Sequence, residues 1–326
     1  MKLPRRKFLR LAAAAAGAPA FSQVAMGQTY PSRPITMIVP LAVGGSADVL
    51  GRVLAERMRI SLGQPVIVEN VTGAEGGIGT GRVAHARFDG YTIELGLSST
   101  HVLNAALYSL SYDVLNDFAP ISLLASFPFI LFARKTMPAK DLRELIAWVK
   151  TNPNRASAGY ATSATHLLTM FLQKQTETQF ALVPYRGSAP EIQDLAAGHI
   201  DFAVQPPDGL PLVRSGIVRA YAATSDTRLG VAPDIPTFAE MGLPALSFSA
   251  WMGLFAPKGT PREVIDKLNG ATVDALADPA VQSRIVDLGF GLFPRQRQTP
   301  ELLGAVMKAD AEKWWPIIRA LGIKAE

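Results

Sequence analysis

Cysteine is absent from all 326 residues. That removes disulfide frameworks, thiolate metal sites and cysteine nucleophiles together. Histidine is nearly as scarce: His85, His101, His166 and His199 are the four, no two at metal-ligand spacing and none in a His-Glu-x-x-His pattern. No Gly-x-Ser-x-Gly elbow occurs, and no P-loop lysine follows the glycine runs. Nothing singles out a pair of the 27 acidic residues as a hydrolytic dyad, although any two of them could meet in space. The first acidic residue is Asp48. The apolar stretch near the start falls short of the roughly 20 residues a membrane span needs, so the mature chain is expected not to insert in a bilayer.

What stands before Asp48 reads as an export signal over residues 1–27. Arg5-Arg6-Lys7-Phe8-Leu9-Arg10 is followed by Leu11, an alanine run and small residues around Ala25-Met26-Gly27. The Arg-Arg-x-Phe-Leu pattern is twin-arginine-like, with cleavage expected near Gly27–Gln28 and the periplasm as destination. This leader carries Lys2, Arg5, Arg6, Lys7 and Arg10 and no acid; 32 basic residues less these five leaves 27, equal to the 27 acidic ones. The overall pI near 9.4 therefore belongs to the leader. Nucleic-acid binding loses its main support. The remaining 299 of 326 residues exceed the roughly 250 at which single cores tend to split, so two domains are expected.

The mature chain is organised around Val39-Pro40-Leu41-Ala42-Val43-Gly44-Gly45-Ser46-Ala47-Asp48. An apolar run, Ile35–Val39, reads as a buried strand, and apolar residues at 49, 50, 53, 54 and 58 read as a helix with Ser46 as its N-cap. Strand, glycine loop and helix start aim backbone N–H groups at one point, which suits a carboxylate or phosphate. An ordinary βα turn explains the same glycines, and Asp48 would occupy the same helix end.

Further strands are expected at 65–70, 91–97, 127–133, 182–185, 199–204, 218–223 and 248–256, with helices between them. Gly79-Thr80-Gly81-Arg82-Val83-Ala84 matches a dinucleotide fingerprint but follows the second strand, so packing explains it better and no cofactor is expected. The third strand delivers Ser98-Ser99-Thr100-His101, placed either for ligand contacts or for capping a helix over 102–107 with His101 solvated. Asp141 and Glu144 are spaced as a capping pair. Ser188 and Glu191 form a capping box with Pro190 in the first turn. Thr260-Pro261, Asp278-Pro279 and Thr299-Pro300 start three more helices, the last carrying Trp314 and Trp315 as packing residues. Alternation throughout makes the class α/β with mostly parallel sheets.

Many short motifs in order resemble one family along essentially the whole mature length. They are Tyr30–Ile35, Pro40–Asp48, Val68-Glu69-Asn70 with Gly73-Ala74 and Gly76–Gly79, Asp89–Thr92, Asn104–Tyr108, Asp117–Pro120, Val183–Pro190, Gly198–Asp201 and Gly253–Pro257. The chain is similar to the exported solute receptors of tripartite tricarboxylate transport systems, the Bug proteins. That resemblance implies a two-lobed, periplasmic-binding-protein-like (type II) Venus-flytrap, one lobe from 28–129 and 253–326 and the other from 130–252. It further implies a monomer that captures a small carboxylated solute and passes it to membrane permease subunits, without catalysis, metal or cofactor.

The positions matching the family's ligand loops are Ala42, Val43, Gly44, Gly45 and Ser46; Ser98, Ser99, Thr100 and Asn104; Thr162, Ser163, Thr165 and His166; Arg186, Gly187 and Ser188; and Gln205 and Asp208. Helix starts at Ser46 and Ser188 are expected to face the ligand from opposite lobes, about a hinge near 127–134 and 247–255. Gln205 stands where relatives often carry an aspartate, which argues against an amine-bearing ligand. A ligand sensor docking on a signalling partner, or a hydrolase on the same scaffold, remain the alternatives.

Overall fold

The structure is a computed structural model that describes residues 30–320, so the expected leader lies outside the described residues. Two sheets form two lobes. The first has six strands: β1 (Ile35–Val39), β2 (Val66–Asn70), β3 (Thr92–Leu97), β4 (Phe118–Pro128), β10 (Ser249–Pro257) and β11 (Gly291–Leu292), in the order β11-β4-β10-β3-β1-β2. The second has five: β5 (Ile130–Arg134), β6 (Ser157–Tyr160), β7 (Ala181–Pro184), β8 (Phe202–Gln205) and β9 (Val218–Ala223), in the order β7-β6-β8-β5-β9.

In each lobe the βα repeats pair in parallel, β1 with β2 and β3, and β6 with β7 and β8. The crossing strands run the other way. β10 is antiparallel to β3 and β4, and β5 is antiparallel to β8 and β9. Both sheets are therefore mixed rather than mostly parallel, because long return strands are indistinguishable by pattern from βα strands. β4 lies in the first sheet as far as Pro128 and β5 enters the second at Ile130. β10 joins the first sheet from Ser249.

The ten α-helices among the described residues cover these sheets: α1 (Ser46–Leu62), α2 (Gly77–Ala84), α3 (Asn104–Leu107), α4 (Leu142–Thr151), α5 (Ser163–Thr176), α6 (Ser188–Ala197), α7 (Leu210–Arg214), α8 (Arg262–Ala277), α9 (Pro279–Asp287) and α10 (Pro300–Ala320). None of them is long and apolar enough to cross a membrane. α1 buries Leu50, Leu54 and Met58, spaced along one face, against the β1 side of the first sheet. α4 starts as its sequence predicts, with Asp141 accepting from Glu144 N–H at 2.9 Å. Asp278 caps α9 through Ala280 and Val281 N–H. Trp314 is buried against Phe248, and Trp315 Nε1 donates to Val102 O at 2.9 Å.

The two crossings between lobes are stitched together by Thr224. Its Oγ1 accepts from Phe129 N–H at 2.8 Å and donates to Phe248 O at 2.6 Å. Its own N–H donates to Phe129 O, and its carbonyl accepts from Phe248 N–H.

Candidate functional site

A small cavity lies where both lobes and both crossings meet. Its volume, measured as the space open to the centre of a water molecule, is about 30 Å³. The first lobe supplies Leu41, Gly45, Ser46, Ala47, Leu97, Ser98 and Ser99, and the second supplies Ala161, Thr162, Ala164, Thr165, Ser188, Glu191 and Pro206. Phe127, Phe129, Ala250 and Met252 close the hinge end. The cavity wall is thus mainly apolar, with the hydroxyls of Ser46, Ser98, Ser99, Thr162, Thr165 and Ser188 and the Glu191 carboxyl set into it away from the hinge, the usual make-up of a small-molecule site.

Local sequence explains how each hydroxyl arrives there. β3 ends at Leu97, and the chain enters a π-helical turn over Ser99–Leu103, a wide turn that recurs at functional sites. Ser98 and Ser99 are buried, and neither Oγ has a hydrogen-bond partner. In the second lobe, Thr162 caps α5, accepting from Thr165 N–H, while Thr165 Oγ1 accepts from Thr162 N–H. This capping box uses one amide of the first turn and leaves those of Ser163 and Ala164 for another acceptor.

Two helix starts differ from expectation. Ser46 and Ser188 are not N-caps. Gly45 and Gly187 occupy those positions, and the serines are the first helical residues. Both turns do face the shared cleft, since a Cβ at Gly45 would stand 3.0 Å from Ser188 Oγ. The protein's own Asp208 carboxylate lies between them, however. Ser188 Oγ donates to its Oδ2 at 3.0 Å, Ser46 stands near enough on the other lobe to favour its ionised form, and its Oδ1 has no hydrogen-bond partner. Burial pushes the Asp208 carboxyl up to about 6, against the stabilising pull of these donors. Asp48 is engaged elsewhere, accepting from Gly44 N–H at 2.9 Å and from Arg52.

The Ser188–Glu191 capping box does not form. Glu191 turns inward, fully buried, and both of its carboxyl oxygens lack a hydrogen-bond partner. Desolvation raises its pKa well above the ordinary carboxyl range. Sequence reasoning missed this residue because S-x-x-E is also the signature of a helix start. The signal available was Gly159 on the neighbouring strand, where a Cβ would come within 2.7 Å of Glu191 Oε1.

The other expected residues are distributed around the cavity rather than in its lining. Val43 is 63% exposed. Ala42 N–H donates to Arg186 O at 3.1 Å across the cleft, while the Arg186 side chain faces solvent, so these two positions join the lobes through backbone. Ser163 Oγ donates to Ser99 O at 3.1 Å, a second link between lobes. His166 is stacked on Tyr160 and lies 3.2 Å from Glu75 Oε1, a third link. Glu75 holds this position from a left-handed backbone conformation, φ 48°, and also accepts from Tyr108 OH at 2.5 Å. Asn104 donates to Glu75 O. Thr100 Oγ1 bonds its own turn at Leu97. Gln205 is buried behind Ser188, with Nε2 directed at Ser188 O. Gly187 fits against Ala42, where a Cβ would stand 2.9 Å from the Ala42 nitrogen. His101 is not solvated. It stacks on Phe255 at 3.8 Å, and burial depresses its pKa to about 3.

A two-lobed α/β receptor with its cleft shut over a hydroxyl-lined cavity is the class that this fold and site define. The model of the tripartite tricarboxylate transporter family receptor matches residues 50–323. Protein BugT of Bordetella pertussis is 36% identical over 301 residues, covering 91% of each chain. The solved periplasmic binding protein BugD is 36% identical with a TM-score of 0.88, covering 91% of this chain and all of that one. MatC of Rhodopseudomonas palustris, solved with bound malate, is 36% identical with a TM-score of 0.85, covering 89% of this chain and all of that one. A second R. palustris protein, solved with adipate, is 29% identical with a TM-score of 0.84, covering 90% and 99%. The chain belongs to the tripartite tricarboxylate transporter receptor family, whose members are periplasmic solute-binding proteins.

Proposed function

We propose that this chain works in the periplasm, closing its lobes on one small carboxylate and delivering it to the membrane permease of a tripartite transporter. The observation that carries the reading is the pair of buried, unpartnered hydroxyls at Ser98 and Ser99, facing the first turn of α5 across the cavity. Hydroxyls and helix-start amides together satisfy a carboxylate without a cationic side chain. Relatives solved with malate and with adipate support a carboxylic ligand. Among the described residues lining the cavity there is no His, Lys or Cys to activate a nucleophile, which favours holding a ligand over turning it over. Because the Asp208 carboxylate is already held by Ser188 Oγ beside the Ser46 turn, the ligand carboxylate is assigned to Ser98, Ser99 and the α5 start.

Thermal-shift titration of the mature protein with malate, adipate and short monocarboxylates tests this. A ligand at 100 times its Kd stabilises by about 2.7 kcal/mol, so at least one acid should raise the melting temperature clearly. Silence across the panel would overturn the assignment.

A further inference from the structure

We infer that the ligand of this site carries a cationic nitrogen as well as a carboxylate, and that Glu191 is the residue that reads the cation. The inference rests on the carboxylate reading above and narrows its substrate class to a compact zwitterion with a hydrocarbon body. Glu191 lines the cavity from α6, is 0% exposed, and neither carboxyl oxygen has a partner. An acid in that position, left ionised and alone, is among the costliest arrangements a protein interior can hold. The Gln205 amide stands near enough to favour its ionised form but is not aligned to hydrogen-bond it, and the nearest charge, Asp208, is of the same sign. Tyr185 is the other titratable group that senses it. No lysine or arginine is among the described residues lining the cavity, so the counter-charge has to come with the ligand.

The surroundings are shaped to keep Glu191 there. Gly159 on β6 leaves room for its Oε1 and Cγ, which a Cβ would meet at 2.7 and 2.8 Å. The rest of the cavity divides the ligand's remaining parts between two walls. Unpartnered Ser98 and Ser99 hydroxyls suit a carboxylate, and Phe127, Phe129 and Met252 suit a short hydrocarbon. In the empty protein burial holds the Glu191 carboxyl well above its ordinary pKa, so binding a cation displaces a proton.

Calorimetric titration with matched pairs tests this: L-valine against 3-methylbutanoate, and L-leucine against 4-methylpentanoate, on wild type and Glu191→Gln. The amino acids should bind wild type more tightly than their desamino partners, and their affinity should rise between pH 5 and pH 8. Glu191→Gln should lose roughly tenfold or more for the amino acids and little for the desamino acids, with the unliganded melting temperature showing that the variant is folded. As a second variant, Gly159→Ala should also weaken the amino acids selectively by crowding Glu191. If the desamino acids bind as tightly as the amino acids, or Glu191→Gln leaves the amino-acid affinity intact, the cation role falls while the carboxylate reading stands. That outcome would make Glu191 a protonated donor to the ligand carboxylate. If neither class binds, both readings fall.

Discussion

A buried hydroxyl without a partner costs free energy in the empty protein, and a ligand that supplies the partner recovers it. Ser98 and Ser99 are both in that state. A hydrogen bond to a charged group contributes about 1.5–3 kcal/mol, so Ser98→Ala or Ser99→Ala should each weaken carboxylate binding at least roughly tenfold by calorimetry, with the fold intact by circular dichroism. Glu94 makes a separate prediction about stability. It is fully buried on β3, accepts from Thr80 Oγ1 at 2.7 Å, and lies 3.7 Å from His101 Nε2. Desolvation raises its carboxyl from 4.5 to about 8 in the folded protein. A raised pKa means the folded state keeps its proton longer than the unfolded chain, so this contribution is complete below pH 4.5 and is lost as pH rises towards 8. Urea denaturation should show wild type losing stability relative to Glu94→Gln between pH 5 and pH 8. A constant difference would place the ionised form in the native state. At this scale the sequence was only partly legible: the hydroxyls at Ser98, Ser99, Thr162 and Thr165 could be named from strand ends and loops. Glu191 and Asp208 could not be given their roles, because where a carboxyl points depends on which neighbouring strand carries the glycine that admits it.

Two elements govern opening and closing, the paired crossings and the facing helix starts. Thr224 satisfies Phe129 N–H and Phe248 O with a single hydroxyl. Thr224→Val keeps the shape and strands both groups, at about 1–3 kcal/mol for each. Linear extrapolation of urea denaturation should record a total loss of about 2–6 kcal/mol, and an unchanged midpoint would contradict the stitching role. At the cleft mouth, Gly187 of the second lobe lies against Ala42 of the first. The added methyl of Gly187→Ala therefore burdens the closed form alone. Overpacking of about 1–3 kcal/mol there predicts roughly tenfold weaker binding with no change in the unliganded melting temperature. The elements themselves were readable: strand β1, the α1 start after the glycines, the Asp141 cap of α4 and the three Pro-led helices all carry local signals. The direction of β4, β5 and β10 was not, because a strand's apolar run says nothing about which way its neighbour points. The capping boxes show the same limit: Thr162 and Thr165 form one, while Ser188 and Glu191, matching the signature better, do not.

The whole molecule is two sheets joined by crossings at residues 129 and 248 and closed by links on several sides of one cavity: Ala42 to Arg186, Ser99 to Ser163, and Glu75 to His166. Each link is a hydrogen bond. Such contacts are worth about 0.5–1.5 kcal/mol apiece, so a ligand bonded to both lobes is what tips the balance towards the shut form. Ordered motifs along the chain made this architecture legible before any coordinates, whereas the cavity's own acid emerged only when the lobes were placed together. The absence of cysteine makes the closing motion directly measurable, because two introduced thiols label without background. Spin labels at Ile60 on the first lobe and Ile217 on the second, both exposed, report the distance between lobes by pulsed electron resonance. Adding an acid that binds by calorimetry should replace a broad, long distribution with a shorter and narrower one. If that acid binds and the distribution does not move, the ligand does not bridge the two lobes, and the account of a cleft closing on a small carboxylate is wrong.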